Sequence, residues 1–82
     1  MKLPHDLSGP DLVKRLKALG YSVTRQTGSH LRLTTLLNGE HHLTIPNHDF
    51  LRVGTLSGIL ADVAQHFSLS REELIRRLFE NE

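Results

Sequence analysis

The chain contains no cysteine among its 82 residues. Disulfides, thiolate metal sites and a cysteine nucleophile are therefore excluded. A small domain that manages without disulfide staples fits a reducing, cytoplasmic setting. Nothing approaches the run of about 18 apolar residues that a membrane span needs, so no membrane association is expected. The start of the chain has one lysine and no apolar stretch behind it, and no secretory signal is expected there. No internal repeat, linker or low-complexity segment breaks the sequence. A glycine-rich phosphate loop of the Walker type is also missing. The acids of the first two thirds, Asp6, Asp11, Glu40 and Asp49, are scattered. They form no carboxylate pair of the kind that acid–base or metal chemistry uses.

What is present describes one soluble globular domain over residues 1–82, with 38% hydrophobic and 23% charged residues. The net charge of +1 is unevenly spread. Residues 1–54 hold seven Lys/Arg against four Asp/Glu, and residues 55–82 hold three against five. The first part is thus basic, which permits nucleic acid as a partner without demanding it.

After a loose lead-in over residues 1–6, Leu7-Ser8-Gly9-Pro10-Asp11-Leu12 combines several helix-start signals. Ser8 and Asp11 form an S-x-x-D capping box, Leu7 and Leu12 a hydrophobic staple, and Pro10 suits a first turn. Leu12, Val13, Leu16 and Leu19 make one apolar face, and Gly20 is the stop. Residues 21–26 read as a strand with Tyr21 and Val23 on one face. Residues 31–37 read as a second strand, with Leu31 and Leu33 alternating against Arg32 and Thr34. Asn38-Gly39 is a hairpin signal, because both residues tolerate positive φ. A third strand over residues 40–45 points Leu43 and Ile45 to the core and ends at Pro46.

A second helix is expected from about Thr55 to His66, with Leu56, Ile59, Leu60, Val63, Ala64 and Phe67 as its buried stripe. Gly58 inside it either weakens the helix or admits a close backbone. Ser70 and Glu73 begin a third helix carrying Leu74, Ile75, Leu78 and Phe79. The expected fold is α+β, in the order α-β-β-β-α-α. It is a three-stranded antiparallel sheet with the helices on one face.

The chemistry concentrates in Arg25-Gln26-Thr27-Gly28-Ser29-His30-Leu31-Arg32, where a turn glycine, a hydroxyl and a histidine join two strands. Histidine exchanges protons near neutrality. Against this, a lone histidine at a strand start is more often a surface residue, and Gly-Ser-His recurs by chance in unrelated chains. The two-residue period puts His30, Arg32 and Thr34 on one sheet face, with His42 and Thr44 beside them, provided the strand register is regular.

A Ser29-His30-Asp49 triad is disfavoured, since adjacent residues of a strand point opposite ways. The same holds for His41 and His42 as ligands of one zinc ion, and no metal or other cofactor is expected. His48 can order its loop or act as a second catalytic group, while His5 and His66 read as ordinary surface residues. What remains is metal-free cleavage of RNA, which brings its own 2′-hydroxyl nucleophile. A histidine can take that proton or protonate the leaving oxygen, and nearby arginines can neutralise the phosphate.

The chain resembles the HicA family of toxins from bacterial type II toxin–antitoxin systems. The stretches that carry the resemblance are Ser8-Gly9-Pro10-Asp11-Leu12 through Leu19-Gly20-Tyr21, and Arg25-Gln26-Thr27-Gly28-Ser29-His30. They continue in Leu43-Thr44-Ile45-Pro46-Asn47-His48, in Val53 to Leu60, and in the helix that starts at Ser70. The resemblance implies a double-stranded-RNA-binding-like fold, endoribonuclease action on mRNA, and a HicB-type antitoxin covering the active site. It also implies His30 as the catalytic histidine, framed by Gly28 and Ser29. The lysines that commonly precede the Gly-Thr-Leu block are represented by Arg52 alone.

Arg25, Arg32 and Lys14 are the candidate RNA contacts, although arginines in such places serve surface ion pairing or solubility about as often. The alternative is a non-catalytic RNA-binding module of the same fold, which would want Lys or Arg at position 30. A degenerate toxin kept for protein interaction is a third.

Overall fold

The computed structural model of the chain describes residues 6–80. The lead-in over residues 1–5, including His5, lies outside the described residues. The elements run α1 (Gly9–Leu16), β1 (Ser22–Thr27), β2 (His30–Thr35), β3 (His41–Pro46), α2 (Val53–Phe67) and α3 (Arg71–Ile75). A 3-10 turn, Lys17–Leu19, extends α1, and a π-helical turn, Arg76–Glu80, extends α3. The strands form one antiparallel sheet in the order β1-β2-β3. The expected α-β-β-β-α-α order and three-stranded sheet are thus present.

The helix ends form as their sequences dictate. The Ser8 hydroxyl accepts from Asp11 N–H at 3.0 Å, and the Asp11 carboxylate accepts from Ser8 N–H. Gly20 closes the segment in the left-handed region at φ +82°. Ser70 accepts from Glu73 N–H at 3.1 Å and starts α3. Asn38 and Gly39 both take positive φ in the β2–β3 turn.

α1 and α2 pack over the sheet side that carries Leu31, Leu33, Leu43 and Ile45. Leu12, Leu16, Leu33, Ile45, Leu60 and Leu74 are fully buried there. At roughly 1.5–3 kcal/mol per buried side chain, this layer supplies the main stabilisation. Ile59 and Phe67 are only partly buried against it. Gly58 has nothing within 4 Å of where a Cβ would stand, so no backbone packs against it.

The strand edges depart from simple alternation. Val23 is 44% exposed, and every residue of β1 is exposed, whereas β3, the other edge of the sheet, buries Leu43 and Ile45. Tyr21, expected to share a strand face with Val23, precedes β1 and is buried. β2 stops at Thr35, so Leu36 and Leu37 leave the sheet and are exposed. Thr35 is held inward instead, its hydroxyl donating to the Leu19 carbonyl at 2.9 Å.

Candidate active site

Gly28 and Ser29 form a two-residue loop between the paired residues Thr27 and His30. Of the two, only Gly28 has positive φ, at +53°, the pattern of a type II′ turn. A side chain at position 28 would meet no atom within 4 Å, so backbone conformation, not space, calls for glycine. The turn is pinned from the other side of the sheet. His30 pairs with Pro46, and Asn47 N–H donates to Ser29 O at 2.6 Å.

The start of α1 closes on the same corner. Gly9 N–H donates to His48 O at 2.9 Å, and Leu51 N–H donates to Leu7 O at 2.9 Å. Segments near residues 8, 29 and 47 therefore meet at one end of the molecule, with His30 at the junction.

His30 is exposed and starts β2 on the polar face. The burial of β2 alternates from His30 onward, and β3 matches it with Arg32 opposite Thr44 and Thr34 opposite His42. The assumed register is therefore present, with His30, Arg32, Thr34 and His42 on one face. A β-bulge adds Arg25 to them. Val23 pairs with Leu33 and Arg25 pairs with Arg32, leaving Thr24 as the extra residue. Without it, continued alternation from Val23 would carry Arg25 to the core side beside Leu31. Thr24 also lies on the outer face, its hydroxyl 3.3 Å from the Arg32 carbonyl oxygen and 3.2 Å from Thr34 Oγ1.

Two guanidinium side chains thus stand directly across from each other, next to His30. Like charges in that relation repel. Neither has a side-chain hydrogen bond or ion pair among the described residues. His30 and Arg32 are two residues apart, about 7 Å along the strand. Lys14 is not part of this group. It is exposed on α1, in the helix layer on the other side of the sheet, near Asp11, Arg15 and Phe79.

A model of the HicA toxin of bacterial toxin–antitoxin systems matches residues 9–64. The chain belongs to the HicA toxin family. No curated protein and no solved structure matches it. The family match spans the Gly28-Ser29-His30 corner, both facing arginines and Lys14, and makes the chain a toxin with an antitoxin partner. Among the described residues, no helix of this HicA chain is long and apolar enough to cross a membrane. No three of their His, Asp or Glu side chains converge as metal ligands.

The other histidines of the HicA chain divide sharply. His42 is fixed on the polar face, with Thr34 Oγ1 at 2.8 Å from Nδ1 and Glu40 Oε2 at 2.7 Å from Nε2. It lies opposite Thr34, four residues or about 13 Å along β2 from His30, too far to serve the same phosphate. His48 orders its loop through its carbonyl, while its imidazole is exposed beside Pro46 and Arg52. No hydrogen bond joins Ser29, His30 and Asp49 among the described residues.

His41 turns to the other side, where Tyr21 Oη lies 2.7 Å from Nδ1 and Asp62 Oδ1 lies 3.2 Å from Nε2. Because a carboxylate only accepts, a neutral His41 carries its hydrogen on Nε2, and Tyr21 donates to Nδ1. Burial, and then the negative charge of Asp62, push the Tyr21 hydroxyl up to about 12.

His66 is not an ordinary surface residue. It stacks on His41 with ring centroids 4.4 Å apart, and its Nε2–H donates to Leu37 O at 2.9 Å. Its carbonyl accepts from Asn38 Nδ2 at 2.8 Å, so it ties α2 to the β2–β3 turn. Residues 21 and 41 are too far in sequence from each other and from the helical pair at 62 and 66 for local spacing to signal this cluster.

Proposed function

We propose that this HicA-family toxin is an endoribonuclease that cleaves mRNA without a metal ion and so inhibits translation. His30 acts as the general acid/base. The observation that carries this reading is an exposed histidine beside two unneutralised arginines that face each other across a bulged strand pair. A phosphodiester laid along the polar face meets Arg25 and Arg32 where they now repel each other. An anion there relieves the repulsion and is itself neutralised as charge builds in the transition state.

His30, in reach of the same phosphate, takes the proton of the RNA 2′-hydroxyl. That oxygen attacks phosphorus, and the bond to the 5′ oxygen breaks. Solvent water protonates the departing 5′ oxygen, and His30 later releases the proton it took to solvent, leaving a 2′,3′-cyclic phosphate. Gly28 and Ser29 aim His30 through the turn that Asn47 clamps. A HicB-type antitoxin silences the enzyme by covering this face, in a cytoplasmic setting.

The test is incubation of RNA with the purified protein in excess EDTA. Cleavage of an all-ribose oligonucleotide is expected, with no cleavage of the 2′-deoxy analogue. Activity that vanishes with chelator and returns with a divalent ion would overturn the metal-free mechanism. Cleavage of the 2′-deoxy analogue would overturn the 2′-hydroxyl as nucleophile.

A further inference from the structure

Most aromatic rings in the described chain are already engaged. Tyr21 is buried and packs edge-on against His41 and Phe67. Phe67 is partly buried in the core, and Phe79 lies beneath the Arg15 guanidinium. Phe50 alone is turned outward, 66% exposed. It belongs to the loop that leaves β3 at the residue paired with His30, and it lines a shallow cleft with Pro46, His48, Arg52 and Thr55.

That loop is held on both sides of Phe50. His48 O is bonded to Gly9 N–H, and buried Leu51 is bonded through its N–H to Leu7 O. The ring is therefore presented to solvent by a fixed backbone. Arg52, in the same cleft, has no ion-pair partner among the described residues. A flat apolar ring that shares a cleft with an imidazole and an unpaired guanidinium suits one ligand in particular. It is a nucleobase on the ring with its phosphate on the cation, the arrangement by which proteins hold single-stranded RNA.

We propose that Phe50 is a base-stacking platform that seats a nucleotide flanking the scissile phosphate, with Arg52 against the adjoining backbone. The inference rests on the ribonuclease reading of His30. Every base has a π-face, so Phe50 contributes affinity and register along the strand rather than base identity. The loss expected on removing the ring is about 5- to 150-fold in RNA affinity.

The experiment uses fluorescently labelled 2′-O-methyl oligoribonucleotides, which bind without being cut, and a set in which each nucleotide in turn is abasic. Phe50→Ala should raise the dissociation constant by that factor while leaving the urea midpoint unchanged, because the ring is exposed. In the wild type one abasic position should cost about as much as the ring itself. In Phe50→Ala that same position should cost nothing further. The chain has no tryptophan, so Phe50→Trp supplies a single indole that can be excited selectively over Tyr21. Its emission should be quenched on binding, and the quench lost at the same abasic position.

Wild-type protein that binds these RNAs while Phe50→Ala binds equally well would overturn the platform and leave the ribonuclease reading standing. So would a Phe50→Ala protein that keeps RNA affinity and loses affinity for the antitoxin, which would make the ring a protein contact. No RNA binding by the wild type would overturn both.

Discussion

Replacing Gly9 with alanine should destabilise the protein through space alone. Gly9 is buried at the first turn of α1, and its φ lies outside the left-handed region. A Cβ there would run into the Pro46 carbonyl oxygen and stand 3.3 Å from Asn47 Cα. Both obstacles are backbone, so no side-chain rotation can make room. The start of α1 must then lift off the loop after β3, straining the 2.9 Å bond from Gly9 N–H to His48 O.

Overpacking of this kind costs about 1–3 kcal/mol, and a weakened hydrogen bond adds about 0.5–1.5 kcal/mol. The stiffer unfolded chain returns about 0.4–1 kcal/mol. The net loss is about 2 kcal/mol, or roughly 8–16 °C in Tm for a domain of this size. Gly58→Ala is the matched control. It sits inside α2 with nothing within 4 Å of the added carbon, and should gain about 0.5–1 kcal/mol from helix propensity. Thermal and urea unfolding followed by circular dichroism read both. A Gly9→Ala protein melting within two degrees or so of the wild type would refute the packing argument, as would equal losses at both glycines.

Arg25→Ala and Arg32→Ala should each weaken RNA binding and lower the slope of log K against log salt by about one. Each should also stabilise the free protein by a few tenths of a kcal/mol by removing like-charge repulsion. Lys14→Ala, on the helix layer, should do neither, and an equal loss there would place the RNA elsewhere. If the antitoxin covers the polar face, Arg32→Glu should slow its association more than it speeds dissociation, as read by stopped-flow kinetics at several salt concentrations. Unchanged association would put the inhibitory contact on another surface.

Tyr21 gives a pH test. Its pKa is raised in the folded state, so the stability this provides is complete below about pH 10. It is lost as pH climbs toward about 12. The chain has one tyrosine, so phenolate absorbance reports it directly. A midpoint near 10 in the folded protein would contradict the burial beside Asp62, and Tyr21→Phe should flatten the alkaline loss of stability.

Much of this fold was legible because its determinants are local. The Ser8–Asp11 capping box, the Asn38-Gly39 turn and the alternation of His30, Leu31, Arg32 and Leu33 each act over a few residues. The placement of His30 and Arg32 on one face followed from that alternation. What local pattern could not give depends on register and tertiary contact. The bulge at Thr24 inserts a single residue with no compositional mark, yet it decides that Arg25 faces outward beside Arg32. Val23 is exposed on one edge strand while Leu43 and Ile45 are buried on the other, a difference that alternation within a strand does not encode. Lys14 is basic like the arginines, but the helix carrying it packs on the opposite side of the sheet. The stack of His66 on His41 and the exposure of Phe50 likewise depend on elements brought together by folding.

The most direct measurement is the single-turnover rate of RNA cleavage by His30→Ala beside the wild type, at protein concentrations that saturate the RNA. His30 is exposed and outside the apolar layer, so the variant should keep the wild-type circular dichroism and urea midpoint. Its cleavage rate should fall by about two to four orders of magnitude, as loss of a general acid/base implies, with RNA affinity changed little. A folded His30→Ala protein that binds RNA and cleaves it at the wild-type rate would contradict the assignment of catalysis to this corner of the sheet.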